Sequence, residues 1–195
     1  NIYRLCRSKT EWKIPLILPI KALAIMFTAI FLFQSIGFGT RFVFAEATGV
    51  KSTAAKVENN TVLKGIRMSE ERARWLEEIS AYVSENKLTG REVILYGYIP
   101  SLSFYLEMPS AFNPWSDLAS YSAASMEAAM QEMKKELAEG KIPPIVILNK
   151  DCAADIQTDL SAVGDVKLAM IVQLLKDYSY KETFSNDKFV LYEAK

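Results

Sequence analysis

Between Lys21 and Arg41 the chain carries 19 consecutive residues without a charge, ALAIMFTAIFLFQSIGFGT. A helix of that length is about 28 Å long, close to the ~30 Å hydrocarbon core of a bilayer. The apolar run reaches back through Ile14–Ile20, with Lys21 near enough to its end to snorkel. Pro15 and Pro19 fall in the first turns, where a missing N–H does least harm. Gln34 is the one strongly polar side chain inside it. A helix packed into a soluble core shows a polar face and this run has none, so a transmembrane helix over residues 14–40 is expected. Ala45-Glu46-Ala47 resembles a signal-peptide cleavage site, but the apolar stretch is longer than the h-region of such a peptide.

Charge is distributed around this run in a way that the overall balance of zero conceals. Residues 1–21 hold Arg4, Arg7, Lys9, Lys13 and Lys21 against Glu11, a net +4, and residues 41–195 hold 18 basic and 22 acidic residues, a net −4. Cytoplasmic flanks of membrane helices are enriched in Lys and Arg. The expected orientation therefore puts residues 1–13 in the cytoplasm, as a basic flank of a cell-membrane protein, and everything from about residue 45 outside. A mildly acidic outer part argues against nucleic acid as a partner, because phosphate binding needs a basic patch. The bilayer is the first partner expected.

The chain contains no histidine, which removes Ser-His-Asp and Cys-His catalysis, histidine metal sites and histidine pH switching. Cys6 and Cys152 fall on opposite sides of the expected membrane span and make no disulfide framework; Cys152 reads as an inert lone thiol. There is no P-loop, GxGxxG, GxSxG, HExxH or CxxC motif. Neither a metal nor a cofactor is expected.

Residues 41–64 are mostly small and polar without periodicity, and read as a spacer; Asn59-Asn60-Thr61 within them is a formal glycosylation triplet of a kind common by chance. Residues 65–195 read as one α/β domain. A helix starts at Ser69, with Glu70 and Glu71 suited to its positive end, shows an apolar stripe Ala73, Leu76, Ile79 and Val83, and stops before Gly90. The run Glu92–Gly97 reads as a buried strand. Leu102–Met108 is a short amphipathic piece, residues 111–121 are irregular, and Ser122 or Ser125 caps a second helix that ends at Gly140. A second buried strand spans Ile145–Leu148, a third helix runs from Asp165 to Lys176, and Tyr178–Phe184 and Phe189–Tyr192 form a closing hairpin. Helices alternating with strands predict an αβα-type domain with a small, mostly parallel sheet and an antiparallel edge.

Three stretches carry chemistry worth testing. Tyr96-Gly97-Tyr98-Ile99-Pro100 follows a strand, where α/β sheets bind ligands, yet it has too few glycines to cradle a phosphate. Asn113-Pro114-Trp115-Ser116-Asp117 sets a Trp beside a carboxylate on a proline-stiffened loop, which suits a sugar through stacking and hydroxyl bonding. It equally suits a Trp that plugs the top of the sheet and an Asp that caps a turn. Tyr98, Trp115 and Asp117 are the candidate binding residues. Asp151, Asp155 and Asp159 recur every four residues, which fits a solvated helix face as well as a cation site.

The string Gly65-Ile66-Arg67-Met68-Ser69-Glu70-Glu71-Arg72-Ala73, then Tyr96-Gly97-Tyr98-Ile99-Pro100, then Trp115-Ser116-Asp117-Leu118-Ala119-Ser120-Tyr121, and the closing Phe189-Val190-Leu191-Tyr192 together resemble the C-terminal end of bacterial multi-pass membrane glycosyltransferases. These are the mannosyltransferase-like proteins that use polyprenyl-phosphate sugars. The resemblance spans nearly the whole chain through short motifs. It implies a last transmembrane helix followed by a soluble extracytoplasmic domain, with a lipid-linked sugar and an acceptor glycan as partners of the parent protein. It also fits a chain that starts at Asn1 without Met, as a fragment would. In that family the catalytic acid lies in an early extracytoplasmic loop, which no position here matches, so the resemblance implies an accessory domain and no catalytic residue. The contrasting expectation is a single-pass anchored binding or interaction domain without an enzymatic parent.

Overall fold

The computed structural model describes residues 17–41, 55–153 and 165–194, in two compact units, one within residues 1–54 and the other from Ala55 onward. In the first, helix α1 (Ile17–Arg41) covers the uncharged run. Its stretch Pro19–Phe38 is long and apolar enough to cross a membrane, and none of it is buried against protein. Ile25, Phe31, Phe33 and Ile36 all stand exposed although they leave the helix in different directions. Thr28 Oγ1 donates to the Ala24 carbonyl (2.8 Å), so its hydroxyl is satisfied within the helix.

The second unit begins ten residues before the expected domain start. Strand β1 (Ala55–Lys56) pairs antiparallel with β2 (Arg67–Met68), Val57 is fully buried in the core, and Asn60 donates from Nδ2 to the Tyr105 carbonyl (2.9 Å) while Oδ1 accepts from the amides of Val62 and Leu63. The last ten residues of the expected spacer thus belong to the folded domain. A strand pair only two residues long leaves no alternation in the sequence to reveal it.

Helix α2 (Glu70–Glu85) follows, then β3 (Val93–Tyr96), the one-turn α3 (Leu102–Tyr105), α4 (Ala123–Ala138), β4 (Ile145–Asn149), the short α5 (Lys150–Ala153), α6 (Val166–Asp177), β5 (Lys181–Ser185) and β6 (Phe189–Glu193). The main sheet has the order β3-β4-β6-β5. Of the neighbouring pairs β3–β4 is parallel, and β4–β6 and β5–β6 are antiparallel. The sheet is therefore mixed: three of its four strands share one direction, and β6 runs against them between β4 and β5. β5 points the same way as β3 and β4, so the chain crosses over twice between parallel strands, from β3 to β4 with α3 and α4 between them and from β4 to β5 with α6 between them, and the closing hairpin then inserts β6 directly beside β4.

The inner strands are apolar over Val93–Tyr96, Ile145–Leu148 and Phe189–Leu191 because both faces are covered there, whereas the edge strand β5 (Lys181–Ser185) is polar and mostly exposed. Val93, Leu95, Ile145, Ile147, Phe189 and Leu191 pack with Ala73, Ile79 and Val83 of α2 and with Leu102 and Tyr105 of α3. Ile94, Tyr96, Val146, Leu148 and Val190 pack against Met126, Met130 and Met133 of α4 and Leu168, Ile171 and Leu174 of α6. The result is the expected three-layer arrangement, helices on both sides of one sheet.

The helices share one way of ending. After α2, α3, α4 and α6 the chain turns left-handed at Lys87, Glu107, Gly140 and Ser179, each with φ between 52° and 97°. In each case the next amide reaches back to a carbonyl five residues earlier: Leu88 to Val83, Met108 to Ser103, Lys141 to Glu136, Tyr180 to Leu175. These are Schellman turns, which satisfy carbonyls that a helix end otherwise leaves open. Lys87, not Gly90, therefore terminates α2. Ser69 begins it without a side-chain capping bond, whereas Ser122 and Asp165 do cap α4 and α6.

Candidate functional site

The carboxyl end of β3 opens into two consecutive left-handed residues, Gly97 at φ 102° and Tyr98 at φ 59°. Among the described non-glycine residues with positive φ, Tyr98 is the one that does not close a helix. An L-residue held there costs about 1–3 kcal/mol, so the surroundings must enforce it. They do so from two sides. Asp117 Oδ2 accepts from the Gly97 amide (3.2 Å) and from the Tyr98 amide. Asn149, the last residue of β4, donates from Nδ2 to the Gly97 carbonyl (3.0 Å). A side chain at position 97 would place its Cβ 2.5 Å from Asn149 Cβ and 3.1 Å from Cys152 Sγ, so glycine is required by space as well as by φ.

The loop that carries Asp117 is itself fixed from below. Asn113 Oδ1 accepts from the Trp115 amide (2.9 Å), an Asx turn beside Pro114. Lys167, in the first turn of α6, donates from Nζ to the carbonyls of Ser116 (2.7 Å), Leu118 (2.8 Å) and Tyr121 (3.3 Å). One ammonium thus satisfies three carbonyls of an irregular segment that has no ladder to pair with. The start of α6 is tied to the same strand end: the Tyr96 hydroxyl donates to Asp165 Oδ2, while Asp165 Oδ1 accepts from the Lys167 amide (2.9 Å). Burial, and after it the Asp165 carboxylate, raise the Tyr96 pKa far above the ordinary range, so this phenol stays a donor.

Of the three candidate binding residues, Asp117 is buried, with its carboxylate turned inward onto the Gly97 and Tyr98 amides. Its second oxygen and the Ser116 hydroxyl are enclosed without a hydrogen-bond partner. Tyr98 and Trp115 face outward, 71% and 51% exposed. Trp115 therefore does not plug the top of the sheet. The structure joins the three through the backbone: Asp117 binds the amide of Tyr98 and lies two residues beyond Trp115.

Lys167, Asn149 and Asp165 complete this edge, and only Asp165 left a trace in the sequence, as the start of a helix. Among the described residues no three His, Cys, Asp or Glu side chains converge as a metal site would require. Asp151 is paired with Lys188 (2.8 Å), and Asp155 and Asp159 lie outside the described residues. The edge presents two exposed aromatic side chains on loops whose backbone is held from inside. No family model matches the chain, and no curated protein or solved structure matches it either.

Proposed function

We propose that the chain is part of an integral-membrane glycosyltransferase that takes its sugar from a lipid-linked donor, with residues 55–194 as an extracytoplasmic accessory domain that is not catalytic by itself. The observation that carries this reading is the pair of exposed aromatics, Tyr98 and Trp115, held on loops that Asp117 and Lys167 lock from inside. Fixed aromatic faces suit the C–H face of a pyranose, and rigid loops lose little entropy when a glycan docks. Asp117 is in this reading a positioning residue. Support also comes from the apolar helix α1 with its basic N-terminal flank and from the family resemblance of the segments around residues 65–73, 96–100 and 115–121.

The test is sugar transfer in membrane vesicles holding the complete protein, with a radiolabelled polyprenyl-phosphate sugar as donor. Trp115→Ala and Tyr98→Ala are expected to lower transfer about tenfold while the chain stays folded. Undiminished transfer would remove the aromatic pair from the reading. A complete protein without transfer in any donor would leave an anchored binding domain with no enzymatic parent. Protease added outside intact cells should digest residues beyond 55 and spare the N-terminal flank; the opposite pattern would reverse the orientation.

A further inference from the structure

A second concave site lies away from the aromatic edge. It is a cleft of about 200 Å³ between the 59–61 turn, the C-terminal half of α2, Thr89 and the end of α3. Its rim consists of Asn59, Thr61, Ser80, Ser84, Thr89 and Glu107. Several of these groups have hydrogen-bonding capacity left over. Thr61 Oγ1 donates to Glu107 Oε1 (2.6 Å), which leaves the other Glu107 oxygen open. Ser80 Oγ accepts from Asn60 Nδ2 (3.3 Å). The side chains of Asn59, Ser84 and Thr89 are exposed and engage no other described group. The floor is apolar, made by Val83, Leu106 and the Tyr105 ring. The Tyr105 hydroxyl is buried there without a hydrogen-bond partner, and burial pushes its pKa up to about 12 against the opposing effect of Ser80.

The position of this rim is firmly set. Asn60 uses its amide hydrogens to hold the turn onto Ser80 of α2 and Tyr105 of α3 and its oxygen to close the turn on the Val62 and Leu63 amides, and Glu107 sits at the left-handed position that closes α3. An apolar floor beneath a ring of hydroxyl, amide and carboxylate groups matches a ligand with one C–H face and an edge of hydroxyls. The volume is below the ~300–1,000 Å³ of drug-sized sites and admits a single ring. Among the described residues the charged one lining the cleft is Glu107 and none is Lys or Arg, so a phosphate or carboxylate on the ligand would meet repulsion.

We infer that this cleft binds an uncharged polyhydroxylated ring, a single pyranose or a cyclitol. The inference stands on the cleft alone and survives failure of the glycosyltransferase reading.

The experiment is saturation-transfer NMR on the full chain in lipid nanodiscs free of sugar-based detergent. The probes are methyl α-mannopyranoside, methyl α-glucopyranoside and myo-inositol, with mannose 6-phosphate as the anionic comparison. At least one neutral probe should bind in the millimolar range, more tightly than the phosphate. Measured in the Tyr98→Ala/Trp115→Ala background, which removes the aromatic edge from the readout, Ser84→Phe, at an exposed helical position on the rim, should weaken that binding at least tenfold. If Ser84→Phe lowers the melting temperature, the double variant Thr61→Val/Thr89→Val carries the same expectation. No binding of any neutral probe to the folded chain, tighter binding of the phosphate, or binding that survives the rim variants would overturn the inference. Binding by the unaltered chain that is absent from the Tyr98→Ala/Trp115→Ala background would also overturn it, by moving the sugar to the carboxyl edge.

Discussion

On β4, Ile145 and Ile147 face one helical layer and Val146 and Leu148 the other, and all four are fully enclosed by aliphatic, aromatic and methionine side chains. At the carboxyl end of the neighbouring strand, order comes from different contacts. Asp117 holds two amides, Asn149 a carbonyl and Lys167 three more carbonyls. Inside the sheet the backbone pairs with itself, so side chains need only fill space and exclude water. Residues 97–98 and 116–121 lie off the sheet, and polar side chains satisfy part of their backbone. The interior tolerates any apolar group of about the right volume. The edge depends on particular atoms, and its product is an arrangement that displays Tyr98 and Trp115 to solvent instead of burying them.

The contrast is broken most severely at its seam. Gly97→Ala would add a Cβ at 2.5 Å from Asn149 Cβ to a residue at φ 102°. Backbone strain and overpacking together are expected to cost about 4 kcal/mol, measured by thermal unfolding of the solubilised chain. A loss under about 1 kcal/mol would mean that the edge can re-form around another turn. Leu148→Ala, in the interior, should cost about 3 kcal/mol through lost burial and a cavity, with Tyr98 and Trp115 left in place. A drop in both stability and Trp115 order, read from its fluorescence anisotropy, would show that the two regions are coupled more tightly than their separate chemistry implies.

The same division explains what the sequence made legible. Val93–Tyr96 and Ile145–Asn149 announce themselves as buried strands because their burial rests on residue type alone. The stripes of α2 and α6 and the closing hairpin follow from periodicity and turn residues in the same way. The β1–β2 pair was hidden because it is two residues long, and the left-handed helix ends at Lys87, Glu107 and Ser179 because their residue types do not ask for positive φ. At the candidate site, Trp115 and Asp117 stood out as unusual neighbours, but nothing local indicated which would be buried. Asp117 meets its amides 19 and 20 residues away in sequence, and Lys167 reaches carbonyls 46 to 51 residues away. A lysine in the first turn of an amphipathic helix looks solvated until the fold brings the loop to it.

Asp117→Ala sharpens the comparison by removing one of those long-range contacts. It leaves the Gly97 and Tyr98 amides without their acceptor, at an expected cost of about 2 kcal/mol, offset in part because the unpartnered second oxygen is removed as well. Asp117→Asn should recover part of the loss, since the amide oxygen still accepts. If alanine and asparagine behave alike, the carboxylate fills space instead of fixing the turn. Hydrogen exchange at the Tyr98 amide gives the local readout: it should accelerate in Asp117→Ala and change little in Leu148→Ala.

Trp115→Ala is expected to have the smallest effect on stability and is the most informative about purpose. The indole is 51% exposed, and the loop beneath it is held by Asn113, Asp117 and Lys167 rather than by the ring. Truncation should shift stability by less than about 0.5 kcal/mol, the range of ordinary surface changes. A residue that the fold fixes in place but does not need for its own stability is available for another role, so loss of sugar transfer at unchanged stability would assign the edge to binding. A stability loss near 2 kcal/mol would instead make Trp115 an outlying part of the core. The carboxyl edge would then be an extension of the interior, held by polar contacts only where the sheet runs out, and the search for a glycan surface would move to the hydroxyl-lined cleft beside α2.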